Sequence, residues 1–308
     1  MPETGLRYAE SCQAFTEDLI AHGLFISQGA RGLYGFGAKM ELVIAAIEQA
    51  ITDSGAHANP EVMRFPPLIS RRNLERSEYL KSFPNLAGSV HSFGGDGGDH
   101  LRLLQHLDRS EDWSGCLEST GVVLAPAACY AVYPVLTGTL PTGGRLVDVV
   151  AFVFRNEPSD DPTRLQAFRL REYVLAGDAA ACRLHSERWV DRGMDLLRSL
   201  GLPVTAQPAN DPFFGRAGRM LATNQRDQGL KMELLVPICS DDQPTACGSC
   251  NYHQDHFGRA FDIHTAAGEP AHSACVGFGL ERIALALFRH HGFRSGNWPE
   301  AVRRQLGL

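Results

Sequence analysis

Residues 154–172 read FRNEPSDDPTRLQAFRLRE, and their side chains have the chemistry of a nucleotide site. Arg155 and Glu157 stand two apart at the end of the apolar run 146–154, where the two-residue period of a strand aims both at one face. A guanidinium fork suits phosphate oxygens, a carboxylate accepts from an exocyclic amine, and an aromatic face stacks on a base. After a polar turn at 158–163, a second run carries Arg164, Gln166, Phe168 and Arg169 to Glu172. A hairpin that grips a nucleotide is expected; an amphipathic hairpin with a solvated charged face is the alternative.

Near the other end, Gly277-Phe278-Gly279-Leu280-Glu281-Arg282 reads as a strand end, a glycine turn and a helix start. The glycines allow close backbone approach, and Arg282 falls in the first helical turn beside amides that attract anions. With Arg155 it could clamp a triphosphate from two sides; a tight turn before a core helix is the plainer account. Cys247 and Cys250, with His253 and His256 close behind, offer soft donors suited to zinc. No second paired knuckle accompanies them, so buried thiols in a turn serve equally well. Sequence spacing says nothing about Cys129, Glu172 and Cys275, which are far apart.

The chain has 308 residues, 44% of them hydrophobic, enough to bury a large core. A formal charge of −6 argues against an obligatory polyanion-binding surface. Eight cysteines are too sparse at this size for a disulfide framework and point to thiols or metal ligands in a reducing, cytoplasmic setting. The start MPETGLRYAE has no secretory pattern. Residues 121–144 carry no charge, but Pro126, Pro134, Pro141 and Gly138 interrupt them, so buried strands and turns are expected there instead of a membrane span.

Helices are expected at 8–22, at 40–53, where Val43, Ile44, Ile47 and Ile51 recur at helical spacing, and at 178–200, closed by Gly201. The glycine-rich run 29–37 reads as a turn and 92–99 as a surface loop. Strands are expected at 61–69, confined to an edge or interface by Pro66 and Pro67, once or twice within 116–134, and at 145–174, 231–238, 259–264 and 273 onward. Residues 239–258 look turn-rich. The pattern is α+β with an antiparallel sheet, since hairpins outnumber crossovers. No repeat or linker divides the chain, so residues 1–308 are expected to be a single domain, 1–54 being a helical and glycine-rich N-terminal extension.

Three segments in this order resemble the signature motifs of class II aminoacyl-tRNA synthetases. Arg64-Phe65-Pro66-Pro67-Leu68-Ile69 resembles motif 1, the dimer-forming proline strand; residues 154–172 resemble motif 2; Gly277 to Arg282 resembles motif 3. The likeness runs from about residue 55 to 300 and is greatest to seryl-tRNA synthetase, because Leu124-Ala125-Pro126-Ala127-Ala128-Cys129 sits where that family has its amino-acid-binding strand. No heptads of a tRNA-gripping coiled-coil arm occur. The chain therefore resembles the truncated homologues called amino acid:[carrier protein] ligases, similar to atypical, zinc-dependent seryl-tRNA synthetases. The implied fold is a class II synthetase-like antiparallel β-sheet flanked by helices, in a homodimer.

The resemblance implies a reaction: ATP activates a small amino acid as its adenylate, and the aminoacyl group passes to the phosphopantetheine thiol of a carrier protein. It also implies zinc on Cys129, Glu172 and Cys275, with one position open for the substrate amine, and leaves Cys247 and Cys250 as structural thiols. Arg155 would stabilise charge on the α-phosphate, Glu157 would read the adenine amine, and Phe168 would stack on the ring. Arg282 would lie over the other face or on the γ-phosphate, and Arg164 would reach the terminal phosphates. Mg²⁺ is expected, although Thr245 stands where ordinary seryl enzymes carry a metal-binding glutamate. Ala127 and Ala128 beside Cys129 favour glycine or alanine as substrate. Arg71, Arg72, Arg76 and Lys81, or Arg216 and Arg219, are candidates for docking an acidic carrier, or simply solvated faces. Neither tRNA nor a membrane is an expected partner. The alternatives are an enzyme that charges tRNA and a non-catalytic regulatory paralogue; intact Arg155, Glu157, Phe168 and Arg282 argue against the latter.

Overall fold

The computed structural model describes residues 3–211 and 229–308. After the helix Glu3–Ala21, strands β1 (Phe25–Ala30) and β2 (Leu33–Phe36) form a hairpin, and the helix Ala38–Gly55 follows. Next come β3 (Glu61–Arg64), β4 (Leu68–Ser70), two short helices Arg71–Arg76 and Tyr79–Ser82, β5 (Ser89–Ser92), the helix Gly97–Asp108 and β6 (Glu118–Leu124). A two-residue strand, β7 (Gly138–Thr139), precedes the long pair β8 (Arg145–Phe154) and β9 (Ala167–Gly177), then the helix Ala179–Ser199 and β10 (Thr205–Pro208). Beyond residue 229 lie β11 (Lys231–Val236), β12 (Thr245–Gln254), the helix His256–Phe261, β13 (Ile263–His264), β14 (His272–Gly279) and the helices Leu280–His291 and Glu300–Leu306.

Seven strands make one sheet in the order β10-β11-β12-β14-β9-β8-β3, antiparallel at every joint except the parallel β3–β8 edge. Of its inner strands, β8 reads as a near-continuous apolar run, while β9 and β12 carry polar residues among the buried ones. On one face the helices Ala38–Gly55, Ala179–Ser199 and Leu280–His291 pack through Ile47, Trp189 and Leu287 onto Tyr173, Val276 and Phe278. The opposite face sets Val147, Val149, Val174 and Cys275 against Cys129, Tyr133, Phe257 and Phe261. The helix-covered face also buries an ion pair. Arg171 donates Nε and Nη2 to Asp148 at 3.1 and 2.6 Å and Nη1 to the Glu48 carbonyl at 2.5 Å, tying β9 to β8 and to a helix.

Several expectations are corrected for local reasons. Residues 245–254 are not turns but the inner strand β12; its small residues fit because a Cβ at Gly248 would already stand 3.3 Å from Leu234, Phe278 and the Gly277 carbonyl. Of the strand expected at 259–264 only Ile263–His264 is extended; His256–Phe261 form a helix, burying Phe257 and Phe261 one turn apart. The 92–99 loop ends in a helix start: Asp96 accepts from the amides of Gly98 and Asp99, and Asp99 accepts from the amide of Asp96, a capping box. The 29–37 run is a hairpin whose turn puts Gly32 at φ +70°. Pro66 and Pro67 divide 61–69 into the sheet-edge strand β3 and the separate β4. Within 116–134 there is one mostly exposed strand, β6, followed by 3-10 turns at Ala128–Ala131 and Tyr133–Leu136. Among the described residues no helix is long and apolar enough to cross a membrane.

Candidate active site

Strand register decides which side chains meet. Cα pairing sets Ser249 against Gly277, Asn251 against Cys275, and Gly277 against Glu172, so these residues share one face of the sheet. Period two then adds Phe168 and Leu170 from β9 and Gly279 from β14. That row floors a cavity of about 520 Å³, walled by Ser77, Glu78, Tyr79, Ser82 and Phe83, by Ala127, Cys129 and Tyr130, and by His253, His256 and Phe257.

At one end lie Arg155, Phe168 and Arg282. The Arg155 guanidinium sits 5.4 Å from the Phe168 ring centroid, while its Nε donates to the Pro126 carbonyl at 3.1 Å. Arg282 donates Nε to the Thr163 carbonyl at 2.8 Å and Nη1 to the Ala246 carbonyl at 2.9 Å. Burial pushes its pKa down, with Cys247 opposing and Arg155 and Arg164 pushing the same way as burial. Beside it, the buried Glu281 accepts from the backbone amide and Nε of Arg169, both at 2.8 Å, which fixes the helix start against β9. The predicted strand-face pairing of Arg155 and Glu157 does not occur. β8 ends at Phe154, and both residues lie in the loop beyond it, where the Glu157 amide donates to the Arg155 carbonyl at 2.7 Å. Glu157 and Arg164 stand outside the cavity lining, Arg164 being exposed with its Nε 3.7 Å from Asp161. Thr245, at the start of β12, does not line the cavity either.

At the other end Cys129, Glu172 and Cys275 converge, their ligand atoms all within 4.8 Å of one another and all three buried. Glu172 Oε1 accepts from the amides of Ala128 and Cys129 at 2.9 and 3.2 Å, which aims the carboxylate. The Cys129 thiol is held well above its ordinary pKa by its hydrogen bond with Cys275, by burial and by Glu172. Burial raises Glu172, with hydrogen bonds from Cys129 working against it. Two thiols and a carboxyl buried together cannot all ionise alone. A divalent cation removes that conflict, and the sulfur-rich donor set fits zinc with a position to spare.

Sequence spacing missed the neighbours of this triad. His253 lies with Nε2 3.7 Å from Cys275 Sγ and Nδ1 3.1 Å from Ser273 Oγ, and burial lowers its pKa to about 4, so it is neutral. Asn251 Nδ2 points at Cys275 Sγ from 3.6 Å. The period of β12 holds the signal for both, once 245–254 is read as a strand. Cys247 and Cys250 belong to the apolar core with Leu234 and Phe278 and join no ligand group with His253 or His256 among the described residues. Of the basic residues proposed for docking, Arg71 pairs with Glu75, Lys81 with Glu78, and Arg76 donates to the Ala260 carbonyl. Arg216 and Arg219 lie outside the described residues.

No family model matches the chain. Two curated relatives from Bradyrhizobium diazoefficiens, amino acid–[acyl-carrier-protein] ligases 2 and 1, are 47% and 46% identical over 293 residues, which is 94% of this chain and 87% and 90% of theirs. A type-2 serine–tRNA ligase from Methanopyrus kandleri is 26% identical over 206 residues, and the match spans 62% of this chain and 38% of that one. Among solved structures, seryl-tRNA synthetase from M. kandleri, in complex with a tRNA from A. aeolicus, superposes with a TM-score of 0.80 at 21% identity, covering 95% of this chain and 60% of that one. Prolyl-tRNA synthetase from Giardia lamblia gives 0.69 at 14% identity, covering 96% and 54%. These likenesses establish the class II aminoacyl-tRNA synthetase fold. Given nearly half of its residues in common with both relatives over most of each length, the chain belongs to the amino acid–[acyl-carrier-protein] ligase family.

Proposed function

We propose that the chain activates glycine or alanine with ATP and transfers it to the phosphopantetheine thiol of a carrier protein. The observation that carries this reading is the arrangement of one cavity, with arginines and an aromatic ring at one end and the Cys129, Glu172 and Cys275 triad at the other. ATP enters with magnesium as its counter-ion. Phe168 stacks on the adenine and Arg282 holds the terminal phosphates; Glu157 and Arg164, which stand outside the cavity lining, are proposed to reach the adenine amine and the terminal phosphates once ATP is bound. The amino-acid carboxylate attacks the α-phosphorus, the bond to the bridging oxygen breaks, and pyrophosphate leaves. Arg155 stabilises the charge that builds on the α-phosphate. Zinc bound by Cys129, Glu172 and Cys275 would supply a Lewis-acid site for the substrate's free amine.

Tyr130, His253 and Phe257 wall the triad's end of the cavity, which supports a substrate with little or no side chain. In the second step the carrier's thiol sulfur attacks the adenylate carbonyl carbon, AMP leaves with the C–O bond electrons, and the thiol proton passes to solvent. Ser77, Glu78, Tyr79, Ser82 and Phe83 rim the cavity, so the basic short helices beside them are the proposed docking side for an acidic carrier in the cytoplasm. The edge strand β3, with Val62 63% exposed, is the proposed homodimer contact. Amino-acid-dependent exchange of pyrophosphate into ATP tests the activation step and names the amino acid.

A further inference from the structure

A second sulfur-rich cluster lies away from the cavity. Cys12 of the helix Glu3–Ala21, Asp161 of the loop between β8 and β9, and Cys239 just after β11 bring their ligand atoms within 4.8 Å of one another. The donor set, two thiols and a carboxylate, is the same in kind as that of Cys129, Glu172 and Cys275. Cys12 and Cys239 are 3% and 2% exposed. Asp161 is already oriented: Oδ2 accepts from the Tyr8 hydroxyl at 2.8 Å, and Oδ1 from the amide and hydroxyl of Thr163 at 2.8 and 2.7 Å. Ser11 Oγ donates to the Cys239 carbonyl at 2.5 Å, so the helix grips both of its partner segments. Tyr8 and Cys12, one turn apart, present a single face to the cluster.

Small buried thiols alone would be ordinary core packing. Here they flank a carboxylate, with Arg164 Nε 3.7 Å from Asp161 Oδ2, and Arg289 acts on Cys239 as the weakest of its neighbours. Two thiolates, a carboxylate and a divalent ion leave one net negative charge, which those arginines offset. We propose that Cys12, Asp161 and Cys239 bind a second zinc ion, which staples the N-terminal helix to the loop that carries Arg155 and Arg164. Binding releases two thiol protons to solvent and leaves one position for water. No oxidant is involved, and the inference does not rest on the proposed reaction.

The test is zinc per chain, by elemental analysis of protein purified without chelator, for wild type, Cys12→Ser/Cys239→Ser and Cys129→Ser/Cys275→Ser. The first variant is expected to lose one equivalent relative to wild type, whatever the second retains. Should the first variant not fold, Co²⁺ added to metal-free Cys129→Ser/Cys275→Ser decides, with thiolate-to-cobalt charge-transfer absorption expected. Zinc content unchanged in Cys12→Ser/Cys239→Ser, no such absorption, or a Cys12–Cys239 disulfide in non-reducing peptide maps of the purified protein would overturn the site. Loss of zinc without faster amide exchange across residues 159–164 would overturn the staple.

Discussion

Arg282 donates its Nε–H to the Thr163 carbonyl at 2.8 Å and thereby ties the helix after β14 to the loop between β8 and β9. The same guanidinium reaches the Ala246 carbonyl at 2.9 Å, so one planar fork spans two segments before any phosphate arrives. Its rigidity is what lysine lacks. Arg282→Lys is expected to keep the fold and to lower kcat/KM for pyrophosphate exchange by roughly 10²–10³. Exchange within about threefold of wild type would remove Arg282 from the phosphate site.

Phe168 offers its ring to the cavity under the Arg155 guanidinium. Losing a stacking ring costs about 1–3 kcal/mol per base. Phe168→Ala should therefore raise KM for ATP about tenfold while leaving KM for the amino acid little changed, and Phe168→Tyr should behave as wild type. A rise confined to the amino acid would place the adenine elsewhere.

The pair Arg171–Asp148 has side chains 4% and 4% exposed. Asp148→Ala leaves an uncompensated guanidinium under the helix Ala38–Gly55, and about 3–5 kcal/mol of stability should be lost in urea unfolding. Removing an exposed pair such as Arg71–Glu75 should change stability by less than about 1 kcal/mol.

His185 carries the clearest pH signature outside the cavity. Burial lowers its pKa to about 4, while its Nε2 donates to the Tyr173 carbonyl at 3.2 Å. Because the folded pKa lies below the unfolded value, the unfolded chain binds the extra proton, and stability is lost as pH falls from about 6.5 toward 4. Between pH 7 and 5 this histidine alone should cost about 2 kcal/mol. His185→Gln should lose that much less than wild type over the same interval, measured by urea unfolding at both pH values.

The chemistry of the site was more legible in the sequence than its scaffolding. Arg155, Phe168 and Arg282 lie in short motifs whose side-chain types announce phosphate and base, and all three line the cavity. Cys129, Glu172 and Cys275 are brought together only by strand register and a 3-10 turn, so spacing is silent on them and only the family resemblance names them. β12 was misread because glycine, serine and cysteine mark turns locally, whereas here the sheet's close packing demands small side chains. His253 and Asn251 were hidden by the same error. Arg155 and Glu157 do not share a strand face because β8 stops at Phe154, three residues short of Glu157.

Transfer of the aminoacyl group from the adenylate to a carrier thiol can be followed directly. The direct measurement incubates the zinc-loaded protein with magnesium, ATP and radiolabelled glycine or alanine, in parallel with phosphopantetheinylated carrier, the same carrier lacking the prosthetic group, and total tRNA. Label is expected on the phosphopantetheinylated carrier alone, released by hydroxylamine as a thioester should be. Label on tRNA with none on the carrier would contradict it.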